Sequence, residues 1–114
     1  MTRYITRFAP SPTGNLHIGS ARTALINYIF HSQHPDSKFY LRIEDTDKIR
    51  STEEFKENII SGLQWLGIKW DNDPQIQSLN IARHIEVVKN LLKNKKAYKC
   101  ICTEDQLTDR RKKI

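Results

Sequence analysis

The chain predicts an α/β fold in which parallel strands are joined by crossover helices, and three stretches of sequence carry that prediction. Tyr4, Ile5, Phe8 and Ala9 make a short apolar run ended by Pro10. Ile18, Ala21, Leu25, Ile26, Ile29 and Phe30 then recur at helical spacing, and Phe39, Leu41 and Ile43 alternate with Tyr40 and Arg42 in a second strand pattern over Lys38 to Glu44. Strand, helix and strand within roughly forty residues form a right-handed crossover, whose ligands sit beyond the carboxyl ends of the strands.

The first run, apolar throughout, reads as a strand buried on both faces. Pro10 and Pro12 keep the following segment extended or turned, and Gly14 is expected to supply a backbone angle that other residues resist. The first helix is expected to begin near Asn15 or Leu16, which puts His17 and Gly19 in its first turn. The second strand brings Glu44 to the same sheet edge as Ser11. Ser51 or Thr52 opens the next helix, with Glu53 and Glu54 in its first turn and Phe55, Ile59, Ile60, Leu63 and Leu66 as its apolar stripe; Gly67 stops it. Residues 70–77, rich in Asp, Asn and Pro, have turn composition. A further helix is expected from Ser78 to about Asn94, burying Ile81, Ile85, Val88, Leu91 and Leu92. Tyr98 to Cys102 reads as a short strand, and the charged stretch Asp109 to Ile114 as mobile.

Composition narrows the class without deciding it. The 114 residues are 38% hydrophobic and 28% charged, enough for one modest core. Nineteen Lys and Arg against 13 Asp and Glu give a net charge of +6, which suits a phosphate-bearing partner. No apolar run approaches a membrane span, and no signal-peptide hydrophobic region opens the chain, so no membrane partner and a cytoplasmic location are expected. Two cysteines one residue apart make a poor disulfide framework, consistent with a reducing compartment.

The segment Pro10 to Ser20 concentrates the chemistry. The unpaired N–H groups and macrodipole at a helix start attract an anion, and the phosphates of ATP would fit there. His17 can donate to a phosphate oxygen, Thr13 can add a hydroxyl, and Gly19 lets a base or sugar approach the backbone. A His beside a Gly at a helix start is, taken alone, merely local structure in most proteins.

The wider string changes that weighting. Phe8 through Gly14 followed by His17-Ile18-Gly19-Ser20-Ala21-Arg22-Thr23-Ala24-Leu25 resembles the first signature of class I aminoacyl-tRNA synthetases in the form found in the glutamyl-tRNA synthetase family. Arg42-Ile43-Glu44-Asp45-Thr46-Asp47, Gln77-Ser78 and Ala97-Tyr98-Lys99-Cys100-Ile101-Cys102-Thr103 match later segments of that family in the same order. The resemblance implies the first half of a Rossmann-like nucleotide-binding domain over residues 1–96, and over residues 97–114 the start of an acceptor-binding insertion. It implies a glutamate–tRNA ligase that uses ATP with Mg2+, L-glutamate and tRNA(Glu), with the C-terminal half of the enzyme missing.

The same resemblance assigns residues. His17 and Thr13 would be catalytic; Pro12, Gly14, His17, Gly19 and Ser20 would hold ATP; Arg7, Ala9, Ser11 and Glu44 would hold glutamate. The chemistry is sensible, since a guanidinium grips a carboxylate in bidentate fashion and an ammonium group needs an acceptor. Cys100 and Cys102 resemble half of a Zn2+ site whose other two ligands would lie beyond residue 114. Lys89, Lys93, Lys95, Lys96 and Lys99 beside Tyr98 could touch the RNA acceptor end or be a solvated helix end. Three departures stand out: Ser20 replaces the second histidine of the signature, Ile76, Leu79 and Asn80 replace the usual flanks of Gln77-Ser78, and the lysine-rich second signature is absent. A non-catalytic nucleotide- or RNA-binding module, or the related enzyme that glutamylates a modified base of tRNA(Asp), are the alternative readings.

Overall fold

The computed structural model describes residues 3–112, which divide after Ile81 into two compact units. The first is built on a three-stranded parallel sheet in the order β1-β2-β3, with β1 at Ile5–Phe8, β2 at Lys38–Ile43 and β3 at Gln75–Ile76. Helix α1 (Ile18–Ser32) joins β1 to β2, and α2 (Glu53–Trp65) lies between β2 and β3.

Register explains which side chains form the core. Thr6 lies opposite Phe39 and Phe8 opposite Leu41, so Phe8, Phe39, Leu41 and Ile43 line one face, whereas Ile5, Arg7, Lys38 and Tyr40 belong to the other. The first face packs on Ala24, Ile59, Leu63 and Ile68, with Leu16, Tyr28, Ile60, Trp70 and Ile76 at its margin. Strand β1 is therefore not buried on both faces as its apolar run predicts: Ile5 is 60% exposed and Phe8 is the only one of its four residues that is buried. Order 1-2-3 with right-handed crossovers puts α1 and α2 on the same side of the sheet. Strand β2 shows the expected alternation, with Phe39, Leu41 and Ile43 all essentially inaccessible.

Helix α1 turns a different stripe inward from the one its large apolar residues suggest. Ala24 is its only fully buried residue and Tyr28 packs beside it, while Ile18, Leu25, Ile26, Ile29 and Phe30 are exposed. A small residue facing the sheet lets the helix approach closely. Helix α2 behaves as predicted: Thr52 is its N-cap, its side chain accepts from the Phe55 N–H, and Ile59 and Leu63 are buried. Its chain reverses at Gly67, whose φ of 74° belongs to the left-handed region. Gly62 has a packing role that periodicity hides, because a Cβ there would lie 2.8 Å from Leu16 Cδ2.

The stretch read as a turn after Trp70 carries the third strand. Asp71 and Asn72 act as its forerunners, their side chains replacing backbone partners: Phe39 N–H donates to Asp71 Oδ2 (2.8 Å), Leu41 N–H donates to Asn72 Oδ1 (3.0 Å), and Asn72 Nδ2 donates to the Leu41 carbonyl (3.1 Å). The Asp71 N–H in turn donates to the Phe39 carbonyl (2.9 Å). Ladder pairing of Arg42 and Ile43 with Gln75 and Ile76 follows directly. Side-chain mimicry of a strand leaves no periodic signal, so composition pointed to a loop.

The chain beyond β3 differs from expectation in several places. Residues 77–80 form a 3-10 turn, and α3 runs from Ile81 to Lys93. Of the five α3 residues expected to be buried, Ile81, Ile85, Val88 and Leu91 are exposed and Leu92 is half-buried. Lys95 adopts φ 54°, and Lys95 and Lys96 N–H groups return to the Leu92 and Leu91 carbonyls, so α3 ends in a Schellman turn. Tyr98 to Cys102 is irregular rather than a strand, lacking any neighbour to pair with among the described residues. The charged end is helical through Arg111 as α4 (Glu104–Arg111), which starts with a capping box in which Thr103 and Gln106 bond each other's backbone N–H. Lys113 and Ile114 lie outside the described residues.

Candidate functional site

The turn between β1 and α1 is tied down from three directions. Thr13 N–H donates to the Ser11 carbonyl (2.9 Å), a three-residue turn centred on Pro12, whose fixed φ suits that geometry. Glu44 N–H donates to the Pro10 carbonyl (2.8 Å), and Thr52 N–H donates to the Pro12 carbonyl (3.2 Å). Asn58 Oδ1 on α2 accepts the Leu16 N–H (2.9 Å). The loop is therefore anchored to the exits of both neighbouring elements.

A cleft of about 300 Å³ opens beside this loop, and Ser11, Thr13, Gly14, His17 and Ser20 all line it. His17 is exposed, so the imidazole is not sealed in the core. It is the N-cap residue of α1 rather than a first-turn residue, with an extended backbone (φ −106°, ψ 165°), its carbonyl accepting from the Ala21 N–H, while its side chain caps nothing. The helix starts two or three residues later than expected because the segment before it is held by Asn58. No acidic residue occupies the first turn of α1. Its N-terminal N–H groups thus retain their positive potential at the cleft.

Details within the turn depart from the sequence reading. Gly14 does not use a positive φ; a Cβ there would meet nothing within 4 Å, so open space is what glycine leaves. Gly19 makes room for His17 itself, since a Cβ at residue 19 would lie 3.1 Å from both Cε1 and Nδ1 of that ring. The imidazole Nε2 lies 3.0 Å from the Ser20 hydroxyl.

Of the remaining residues expected to hold ATP or glutamate, Arg7, Ala9, Pro12 and Glu44 do not line this cleft. Pro12 is buried and lines a neighbouring cleft of about 420 Å³. Arg7 is exposed on the sheet face opposite the core, in register with Tyr40. Ala9 is half-buried, and Ser11 is exposed at the cleft. The Glu44 carboxylate pairs with the Arg42 guanidinium, each side chain about 30% exposed (31% and 29%). Glu44 therefore carries a cationic neighbour that the strand pattern alone did not expose, although residues 42 and 44 share a face by their spacing.

The larger cleft is lined by Asp45, Lys48, Ser51, Thr52, Lys56 and Ser78 among others, and, of the residues expected to hold ATP or glutamate, by Pro12 alone. Asp45 accepts the Ser78 N–H (2.8 Å) and hydroxyl (2.5 Å), joining two segments matched separately in the sequence. Burial pushes the Asp45 carboxyl up, but the Ser78 hydroxyl and N–H and the Lys56 charge outweigh it and hold the group below the ordinary carboxylate range. The Ser51 hydroxyl is buried without a hydrogen-bond partner among the described residues.

Cys100 is exposed and Cys102 half-buried. A hydrogen bond with Cys100, together with its charge and burial, pushes the Cys102 thiol up. Two thiols are half of a tetrahedral site, and among the described residues no group of three or more His, Cys, Asp or Glu gathers to hold a metal. Lys89, Lys93, Lys95, Lys96 and Lys99 are exposed, as is Tyr98 (88%). Among the described residues no helix is long and apolar enough to cross a membrane.

Parallel strands, crossover helices and a helix start opening at the strands' carboxyl ends define a Rossmann-like α/β protein. The family description "tRNA synthetases class I (E and Q), catalytic domain" matches residues 4–114, and the chain belongs to that family. It is 56% identical over 107 residues to glutamate–tRNA ligase 1 of Orientia tsutsugamushi, covering 94% of this chain and 22% of the relative. It is 55% identical over 111 residues to glutamate–tRNA ligase 2 of Rickettsia prowazekii, covering 97% and 23%. A crystal structure of a glutamate tRNA ligase from Elizabethkingia meningosepticum in complex with its amino acid superposes with TM-score 0.79 at 36% identity, over 96% of this chain and 23% of the other. The glutamate-tRNA synthetase of Elizabethkingia anophelis gives 0.81 at 36% identity over 98% and 24%. The chain thus spans under a quarter of the length of these relatives.

Proposed function

We propose that the chain supplies the ATP-facing part of a glutamate–tRNA ligase, completed by further polypeptide of the kind its relatives carry. The observation that carries this reading is the acid-free, uncapped start of α1 opening onto the cleft of Ser11, Thr13, His17 and Ser20. In the reaction, the glutamate carboxylate attacks the α-phosphate of ATP, the bond to the bridging oxygen breaks, and pyrophosphate leaves with Mg2+. The acyl group then passes to a hydroxyl of the terminal ribose of tRNA(Glu), releasing AMP.

Each residue has a role suited to its setting. His17 and Thr13 donate to phosphate oxygens as negative charge grows on them, an interaction stronger in the transition state than before it. Gly14, Gly19, Ser20 and Pro12 shape the ATP-binding turn. Arg7 grips the side-chain carboxylate of glutamate, while Ser11, Ala9 and Glu44 receive its ammonium end, Glu44 sharing its charge with Arg42. Mg2+ arrives on ATP, since the described residues offer it no cage. Residues 97–114 begin an acceptor-binding insertion, and Cys100 and Cys102 take up Zn2+ only with two ligands from elsewhere in the polypeptide. Cytoplasm is the compartment that fits translation and the unpaired cysteines.

ATP–pyrophosphate exchange, measured with glutamate and tRNA(Glu), tests this for the chain alone and for the chain joined to the remaining three-quarters of a relative. Exchange in the joined form only is expected. Exchange in neither would remove the ligase reading, and robust exchange by the chain alone would remove the claim that it needs completion.

A further inference from the structure

His17 can serve a phosphate only from a fixed place, and the contacts that fix it come from the neighbouring helix. We infer that Asn58 and Gly62 of α2 are positioning residues for His17: they clamp Leu16, the residue before it, and so set where the imidazole stands at the cleft. For its effect on catalysis the inference rests on the phosphate role proposed above, while the clamp itself is a property of this chain's own contacts.

Backbone and side chain of Leu16 are both held. Its N–H donates to Asn58 Oδ1 (2.9 Å) across 42 positions of sequence, and because an N–H needs an acceptor, the amide oxygen is the atom that faces it. Gly62 follows four residues along α2, on the same helix face. A Cβ at residue 62 would lie 2.8 Å from Cδ2, 3.6 Å from Cβ and 3.8 Å from Cγ of Leu16, so the leucine rests on bare helix backbone. Glycine weakens a helix interior relative to alanine; helix stability therefore does not account for it here, and the close approach does. Ile59 and Leu63, the neighbours of Asn58 and Gly62, belong to the buried cluster on which Leu16 packs, and Ile59 also lines the cleft of His17. Helix α2 is thus both the clamp and part of the wall. The other two ties of the loop, to the Pro10 and Pro12 carbonyls, come from the backbone N–H groups of Glu44 and Thr52, which any residue but proline would supply. Only at Asn58 and Gly62 does the hold depend on residue identity. Consecutive Cα atoms stand about 3.8 Å apart across a rigid peptide, so a shift of Leu16 passes to His17. Misplacing a reacting group by about 1 Å costs about a hundredfold in rate. Arg7 belongs to β1 and Glu44 follows β2, so the hold on glutamate is not routed through Leu16.

ATP–pyrophosphate exchange in the joined form, with glutamate and tRNA(Glu), tests the catalytic consequence. Asn58→Ala and Gly62→Ala are each expected to lower kcat about tenfold to a hundredfold while the KM for glutamate stays within about twofold. Adding Leu16→Val to Gly62→Ala removes the Cδ2 that the new methyl meets and should recover most of the loss, a rescue that a general weakening of the fold would not allow. NMR of the 114-residue chain reads the clamp directly: the His17 resonances should move in both single variants and return in the double variant. Unchanged kcat in Asn58→Ala or Gly62→Ala, where His17→Ala has lost exchange, would overturn the inference. So would a rise in glutamate KM that matches the fall in kcat, or a double variant no better than Gly62→Ala. Intact exchange in His17→Ala would instead end the phosphate role, and His17 resonances that follow Asn58 and Gly62 would still uphold the clamp.

Discussion

Helices α1 and α2 start at the carboxyl ends of adjacent parallel strands, yet their first turns are furnished in opposite ways. Helix α2 is closed: Thr52 caps it, Glu53 and Glu54 sit in its first turn, and Lys56 pairs with Glu53. Helix α1 is open: His17 caps nothing with its side chain and no carboxylate is nearby in its first turn. Both starts have the same dipole and the same number of unpaired N–H groups, so the difference lies in side chains alone. A helix that needs only stability uses its own acids and hydroxyls to satisfy its start. One that leaves them out forgoes about 1 kcal/mol and keeps a positive mouth for something else.

The largest effect should come from closing the open start. His17→Asp places a good capping carboxylate at α1 and is expected to stabilise the chain by about 1 kcal/mol in urea unfolding. In the joined, full-length form it should lower exchange activity about a hundredfold or more, by removing a donor and repelling phosphate. Gain of activity, or loss of stability, would break the contrast between the two starts. The reciprocal change, Thr52→Ala, opens the closed start and should cost about 1 kcal/mol by the same unfolding measurement. An unchanged midpoint would mean that Thr52 caps α2 in name only.

Acid titration sharpens the comparison further. Asp45, just before α2, has a folded-state pKa below its ordinary value, so its stabilising contribution is present above about pH 4 and is lost as pH falls through the lower folded value. The Ser78 N–H, which donates to it, should shift in that window, whereas the first-turn amides of α1, with no carboxylate beside them, should not. Asp71 acts in the same direction, held low by the Phe39 N–H, against burial, and by Lys38 and His31. Backbone amide shifts followed by NMR from pH 6 down to about 3 would show it; equal shifts at both helix starts would contradict the picture.

The same contrast separates what sequence patterns convey. Thr52 followed by two glutamates is a local, additive signal, and it was legible. So were β2, whose alternation matches its buried face, and Gly67, whose position after the last apolar residue anticipates its left-handed φ. Strand β1 and helices α1 and α3 were legible as elements but not in their faces. In β1 and α1 the apolar residues outnumber those that one side of a three-stranded sheet can cover, and periodicity cannot say which stripe is buried. Tyr98 to Cys102 has strand composition with no neighbour among the described residues to make a ladder, since pairing is a property of two segments.

The sequence by itself determined the order of β1, α1, β2, α2 and α3, the α/β class and the cluster of small and polar residues at the start of α1, because propensities, caps and turn residues act within a few positions of one another. Only the tertiary structure decided that Asp71 and Asn72 stand in for strand backbone, that Asp45 meets Ser78, that Glu44 faces Arg42, and that Gly19 serves the ring of His17. Those arrangements depend on distances between atoms far apart in the chain or on one rotamer among several, and such quantities are fixed by packing rather than by spacing.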